Sequence, residues 1–179
     1  MIRQATIADA SRIAEILIFS KRMNYRTIFR NDAVSFGEMQ VYPLAKWYID
    51  NPQELDEIWV YDDEFVKGMI HISENQILEL YVDFFFENQG VGSTLIQFAI
   101  EQKHCDFLWV LEKNRKAIRF YQRYGFTITE EKKYQEGTSE FIVKMNLYAD
   151  QLLQEKKIGN PPQKFIAENT SEEKSSNVP

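Results

Sequence analysis

The stretch Asn114-Arg115-Lys116-Ala117-Ile118-Arg119-Phe120-Tyr121-Gln122-Arg123-Tyr124-Gly125-Phe126 carries its aromatics at helical period. Ala117, Phe120, Tyr121 and Tyr124 fall at i, i+3, i+4 and i+7, one face of a packed helix. Gly125 follows the last periodic residue, where a left-handed C-cap is easiest to form. β-Rich runs lie on either side, Asp106 to Leu111 before it and Phe126 to Glu130 and Phe141 to Leu147 after it. Period alone gives these aromatics a packing role.

Upstream, Glu87-Asn88-Gln89-Gly90-Val91-Gly92-Ser93 stands between a β-rich run, Gln76 to Val82, and a helical stretch that opens at Gly90 and lasts to about Lys103. Glycines allow a sharp turn and close ligand approach, and N–H groups at a helix start favour an anion. A phosphate or pyrophosphate fits such a turn, and so does no ligand at all, since Gly-x-Gly alone also marks ordinary tight turns. A Walker loop is disfavoured because Gly92 is followed by Ser93-Thr94 without Lys, and the Rossmann fingerprint is disfavoured by Leu95, where a third small residue belongs. The strands Ile77 to Val82 and Asp106 to Leu111, joined by a crossover helix, must run parallel.

Further upstream the connections shorten. Ile58 to Tyr61 and Phe65 to Ile72 are β-rich runs separated by Asp62-Asp63-Glu64, and Ser73-Glu74-Asn75 turns the chain into Gln76 to Val82. Turns this short imply antiparallel neighbours, so the sheet is mixed. Alternation along the last of these strands assigns Ile77, Glu79 and Tyr81 to one face and Leu78, Leu80 and Val82 to the other. Ile2 to Ala5 reads as a first strand. Thr6 and Asp9 have capping-box spacing, and Ala10, Ile13, Ala14 and Leu17 give the following helix a buried stripe. From Lys21 to Pro52 the pattern loosens, with Tyr25, Phe29, Phe36, Tyr42, Trp47 and Tyr48 scattered over a second helix and long loops.

The chain of 179 residues is 44% hydrophobic, enough for one buried core. The expected fold class is α/β (α+β), a single domain over residues 1–150 with a mixed central sheet of about six to seven strands flanked by about four helices. Residues 151–179 shift to Gln, Glu, Lys, Asn, Ser and Pro and are expected to form a polar, largely disordered tail. A net charge of -6 argues against nucleic acid or anionic membrane as a partner. No window reaches the roughly 18 to 20 apolar residues of a membrane helix. The start of the chain lacks a secretory signal pattern, so a soluble, cytoplasmic protein is expected. Cys105 is the only cysteine, and with only His71 and His104 as histidines no metal site is expected.

The first stretch resembles the pattern N-x-x-A-x-x-F-Y-x-x-x-G-F of the GNAT acetyltransferase superfamily at every specified position: Asn114, Ala117, Phe120, Tyr121, Gly125 and Phe126. The glycine turn is similar to that family's acyl-CoA loop, Q/R-x-x-G-x-G/A, at Gly90 and Gly92. Glu87 departs from it, standing where Gln or Arg is usual. The resemblance spans roughly Ile2 to Leu147. It implies a splayed parallel strand pair that admits acetyl-CoA as co-substrate, with no metal, for direct acetyl transfer to a primary amine of a small molecule or a peptide N-terminus. By position, the backbone of Leu80, Tyr81 and Val82 would pair with the pantetheine. Glu87, Asn88, Gln89, Gly90, Val91, Gly92 and Ser93 would form the pyrophosphate turn, Asn114 would contact the pantetheine, and Tyr121 would reach the thioester sulfur. Homodimers are common in the family.

Tyrosine has a reference pKa of about 10 and a thiol about 8.5, so full proton transfer from Tyr121 to the leaving thiolate is uphill by about 2 kcal/mol, and hydrogen-bond stabilisation serves as well. An alkylammonium must lose a proton before it attacks, which calls for a base, and Glu79 is the candidate; its alternative is a solvent-facing strand glutamate. His71 reads as a satisfied strand histidine. His104-Cys105-Asp106 reads as structural, because adjacent side chains diverge and rarely form a triad. Arg115, Lys116, Arg119 and Arg123 read as a solvated helix face, one of which could meet a ribose phosphate. A non-catalytic acyl-CoA sensor on the same fold is the alternative function, and a longer acyl chain a further one.

Overall fold

Asp9 organises the start of the chain. Its carboxylate accepts hydrogen bonds from the Thr6 N–H and hydroxyl, both at 2.9 Å, and from both terminal nitrogens of Arg3 at 2.8 Å. The capping-box spacing is thus used, through one short 3₁₀ turn at Ile7–Asp9 before α1 (Ala10–Phe29) begins. Ala10, Ile13, Ala14 and Leu17 are buried on α1 as expected. The helix does not stop where the pattern loosens, however, and Lys21 to Phe29 is its second half. The stripe that begins with Ala14 and Ile18 continues as Lys21 and Tyr25, whose polar tips hide the helical period from a hydrophobicity reading. Arg30 closes it in the left-handed region, φ 52°. A π-helical turn (Ala33–Glu38) and α2 (Val41–Asp50) follow.

The computed structural model describes residues 1–148, so the tail expected over 151–179 lies outside the described residues. One sheet of seven strands runs in the order β1 (Ile2–Gln4), β2 (Ile58–Asp63), β3 (Phe65–Ser73), β4 (Gln76–Val82), β5 (Phe107–Leu111), β7 (Phe141–Leu147), β6 (Phe126–Tyr134). Only β4 and β5 are parallel. Between them comes α3 (Val91–Glu101), and α4 (Arg115–Gln122) links β5 to β6. Gly125, at φ 87°, turns the chain from α4 into β6. β6 runs on to Tyr134, past Glu130, because pairing with β7 resumes at Lys132 after a register shift. Its Lys132 and Lys133 keep an exposed edge charged.

The sheet has a core on each face. One face packs Ile70, Ile72, Ile77 and Met145 against Leu95, Ile96 and Ile118 of α3 and α4. The other packs Ile58, Val60, Met69 and Tyr81 against Ile13, Leu17 and Tyr48 of α1 and α2. Gly68 is what lets α3 approach so closely: a Cβ there would meet Val91 Cγ1 at 2.9 Å and the Tyr81 carbonyl at 3.0 Å.

β4 breaks the alternation expected of it. His71 pairs with Glu79 but Ile72 pairs with Ile77, so Leu78 is one residue too many and forms a bulge. Ile77 therefore joins Leu80 and Val82 on the α3 face instead of sharing a face with Glu79 and Tyr81. Parallel pairing to β5 stops at the same place, after Gln76 with Phe107 and Ile77 with Leu108. Beyond that point β4 and β5 splay.

Candidate functional site

The splay separates two hollows. On the α3 and α4 side lies a groove of about 310 Å³. Leu80, Tyr81, Val82, Glu87, Asn88, Gly90, Gly92, Ser93, Asn114 and Tyr121 all line it, brought together from β4, the glycine turn, the start of α3 and both ends of α4. Two residues of the glycine turn do not. The Val91 side chain is buried in the core, leaving only its backbone for a ligand, and the Gln89 amide donates to the Phe85 carbonyl at 2.9 Å.

Gly90 sits at φ 87° and no side chain caps α3, so the first N–H groups of that helix have no partner from a capping residue. Asn114 does cap its helix: its Oδ1 accepts from the Ala117 N–H at 3.1 Å, which fixes the side chain and leaves its amide donors. Glu87 is not a bare charge in the groove. Its carboxylate pairs with Lys116 Nζ at 2.6 Å, from the facing helix. Lys116, Arg119 and Arg123 line the groove, whereas Arg115 does not.

The second hollow, about 610 Å³, opens on the α1 and α2 side. Its walls are Leu17, Ile18 and Lys21 from α1, Leu44, Trp47 and Tyr48 from α2, Glu38 from the end of the π-helical turn, Glu54 from a 3₁₀ turn after α2, and His71, Leu78 and Glu79 from the sheet. Glu79 and Tyr121 thus belong to different hollows. Lys21 Nζ lies 2.8 Å from Glu79 Oε1, and His71 Nε2 lies 3.5 Å from Glu57 Oε2.

Tyrosines occupy the wall between the hollows. The hydroxyls of Tyr25 and Tyr81 are 2.8 Å apart and either can donate. Burial pushes the Tyr81 phenol well above its ordinary value, and the Glu79 carboxylate adds to it. Burial likewise holds Tyr121 well above its ordinary value, followed by the Glu79 carboxylate. These groups therefore share one field, and Tyr121 remains a proton-bearing donor at any physiological pH.

The His104-Cys105-Asp106 cluster comes apart. Cys105 is buried with its thiol pushed up to about 11, chiefly by burial, while His104 is exposed and Asp106 accepts from Asn75. Among the described residues no group of three or more His, Cys, Asp or Glu is arranged to hold a metal, and no helix is long and apolar enough to cross a membrane. Sequence reasoning missed Lys21, the Tyr25 hydroxyl, Glu38, Glu54 and the Glu87–Lys116 pair. Only Lys21 left a signal, as a cation on the buried stripe of α1.

Residues 54–128 match the family model described as an acetyltransferase (GNAT) domain. The chain is similar to the peptidyl-lysine N-acetyltransferase YiaC of Escherichia coli (strain K12), 29% identical over 137 residues covering 73% of this chain and 85% of the relative. In three dimensions it is similar to apo-form YjaB from Escherichia coli, at a TM-score of 0.65 and 19% identity over 82% of this chain and 95% of that one. It is also similar to the PaiA N-acetyltransferase from Thermoplasma acidophilum in complex with coenzyme A, at a TM-score of 0.58 and 22% identity over 82% and 98%.

Proposed function

The chain belongs to the GNAT superfamily and is an acyltransferase, and on that premise we propose that it moves the acetyl group of acetyl-CoA directly onto a primary amine held beside Glu79. What supports this is the splay of β4 from β5 after Ile77 and Leu108, which leaves a groove on one side and a cleft on the other with Tyr121 and Glu79 within one electrostatic field.

In the groove, the free backbone of Leu80, Tyr81 and Val82 binds the pantetheine amides as an added strand would. Asn88, Gln89, Gly90, Val91, Gly92 and Ser93 receive the pyrophosphate through backbone N–H groups at the α3 start. Lys116 holds the Glu87 carboxylate, which limits repulsion of the phosphates. Asn114, fixed by its cap, offers its amide to the pantetheine.

The amine nitrogen attacks the acetyl carbonyl carbon, a C–N bond forms, and the C–S bond breaks to release the thiolate. Glu79 takes the amine's proton through Oε2, since Oε1 is engaged by Lys21, and passes it to solvent. Tyr121 donates a hydrogen bond to the departing sulfur. Because burial raises Tyr121 further, full proton transfer costs more than the about 2 kcal/mol of an ordinary phenol, and stabilisation of the thiolate is its main contribution. The similar YiaC acts on peptidyl-lysine, which supports a primary amine as acceptor, from a peptide or a small molecule. Use of acetyl-CoA fits a cytoplasmic setting.

The test is thiol release from acetyl-CoA across a panel of primary amines, with mass spectrometry of the product. An N-acetylated amine formed in step with free thiol is expected. Tight acetyl-CoA binding with no amine-dependent release across the panel would overturn the reading.

A further inference from the structure

We infer that the cleft beside Glu79 selects an extended alkylammonium carrying a second positive charge, the reactive nitrogen at Glu79 and the second charge at Glu38 and Glu54. This rests on the cleft being the acceptor site.

Three carboxylates face the cleft, Glu38, Glu54 and Glu79, against the single ammonium of Lys21. Lys21 is already committed to Glu79 at 2.8 Å, and no ion pair engages Glu38 or Glu54 among the described residues. The nearest histidine, His71, leans on Glu57 instead. An uncompensated negative charge therefore remains in the cleft with its mouth open to a cation. Tyr48 responds to the same field: its hydroxyl is pushed up to about 12, by burial first and then by the charges of Glu79 and Glu54.

Between the carboxylates the walls are apolar. Leu17, Leu44, Trp47 and Leu78 line the cleft, with Trp47 44% and Leu78 39% exposed, uncovered surface of the kind an alkyl stem would bury. Lys21 is the protein's own example of this ligand, an ammonium on an alkyl stem lining the same cleft and seated on Glu79, 6.0 Å from the centroid of the Tyr81 ring. A diamine reproduces that arrangement and satisfies the two remaining carboxylates. An acceptor with a carboxylate at its far end meets like charge.

The experiment uses the full chain, with CoA bound for calorimetry and with acetyl-CoA for turnover, and three acceptors that differ only at the far end: 1,5-diaminopentane, n-pentylamine and 5-aminopentanoate. Affinity by calorimetry and kcat/KM by thiol release should both fall in that order, with about tenfold between the first two, the scale expected for two partly exposed ion pairs. The ratio should shrink as salt rises, and should fall to within about twofold in the Glu38→Gln/Glu54→Gln variant. Equal affinity for diaminopentane and pentylamine in the unaltered protein, or a ratio indifferent to salt, overturns the inference whether or not the variant folds. Charge-selective binding without acetylation leaves the inference standing and removes the acetyl-transfer reading instead. Lysyl-arginine and lysyl-glutamate dipeptides, blocked at both ends, separate the sources: preference for lysyl-arginine over free diaminopentane identifies a basic peptide, the reverse a free polyamine.

Discussion

The Tyr25 hydroxyl from the second half of α1 meets the Tyr81 hydroxyl from β4 at 2.8 Å, in the wall between groove and cleft. The half-buried Tyr25 phenol and the buried Tyr81 phenol satisfy each other. Removing one leaves its partner unpaired, which costs about 1–3 kcal/mol, whereas removing both substitutes apolar edges of the same shape. Tyr25→Phe and Tyr81→Phe should each destabilise by about that amount in urea unfolding, and the double variant by clearly less than their sum. Strict additivity would mean the pair contributes nothing.

Tyr121→Phe keeps the ring packed against Phe126 and Phe120 and removes only the hydroxyl. Turnover should fall by about 10²–10³, the loss typical of one transition-state donor, with the affinity for acetyl-CoA changed less than about threefold. A parallel loss of affinity and turnover would mark Tyr121 as a binding residue only.

Glu79→Gln removes the proton acceptor and breaks the pair with Lys21. In the variant kcat should be lower, and the remaining profile should follow the amine acceptor's own ionisation, rising toward pH 10. An unchanged profile at unchanged kcat assigns proton removal to water.

Glu87→Gln restores the residue usual at that position and frees Lys116 for phosphate. Acetyl-CoA should bind a few-fold more tightly at low salt, with the gain fading as ionic strength rises, while Lys116→Ala should weaken binding by a similar factor. Weaker binding in Glu87→Gln would mean the ion pair holds the groove in shape.

Asp9 is held low, to about 2, first by its hydrogen bonds from Arg3. Its folded-state value lies below the unfolded one near 3.8, so the stabilisation is complete above about pH 4 and is lost as pH falls toward 2. Arg3 is partly exposed and screened, so about 1–2 kcal/mol is expected. Asp9→Asn should lower stability at pH 7 by about that much and flatten its dependence between pH 4 and 2.

Much of this molecule is written locally. The helix from Arg115 and the turn at Gly125 follow from period and cap, the parallel pair from the crossover, and the hairpins from short turns. The groove was legible for the same reason, since most of its residues lie in two contiguous stretches, one at the end of each strand of that pair. The cleft was not, because Lys21, Glu38, Glu54 and Glu79 come from four separate segments and meet only in three dimensions. The second half of α1 escaped because Lys21 and Tyr25 bury their stems while keeping polar tips. The face of Ile77 escaped because a bulge is a property of pairing, visible only when β3 and β4 are laid together.

That bulge makes the aperture a matter of counting. Removing Leu78 would join Ile77 to Glu79 in regular pairing and leave every side chain of β4 on the face it already occupies. The strand would straighten, β4 could continue its ladder with β5, and the wall between donor and acceptor would close. A protein shortened by this one residue should fold with the same cores and the same chemical groups, yet lack the doorway through which they meet.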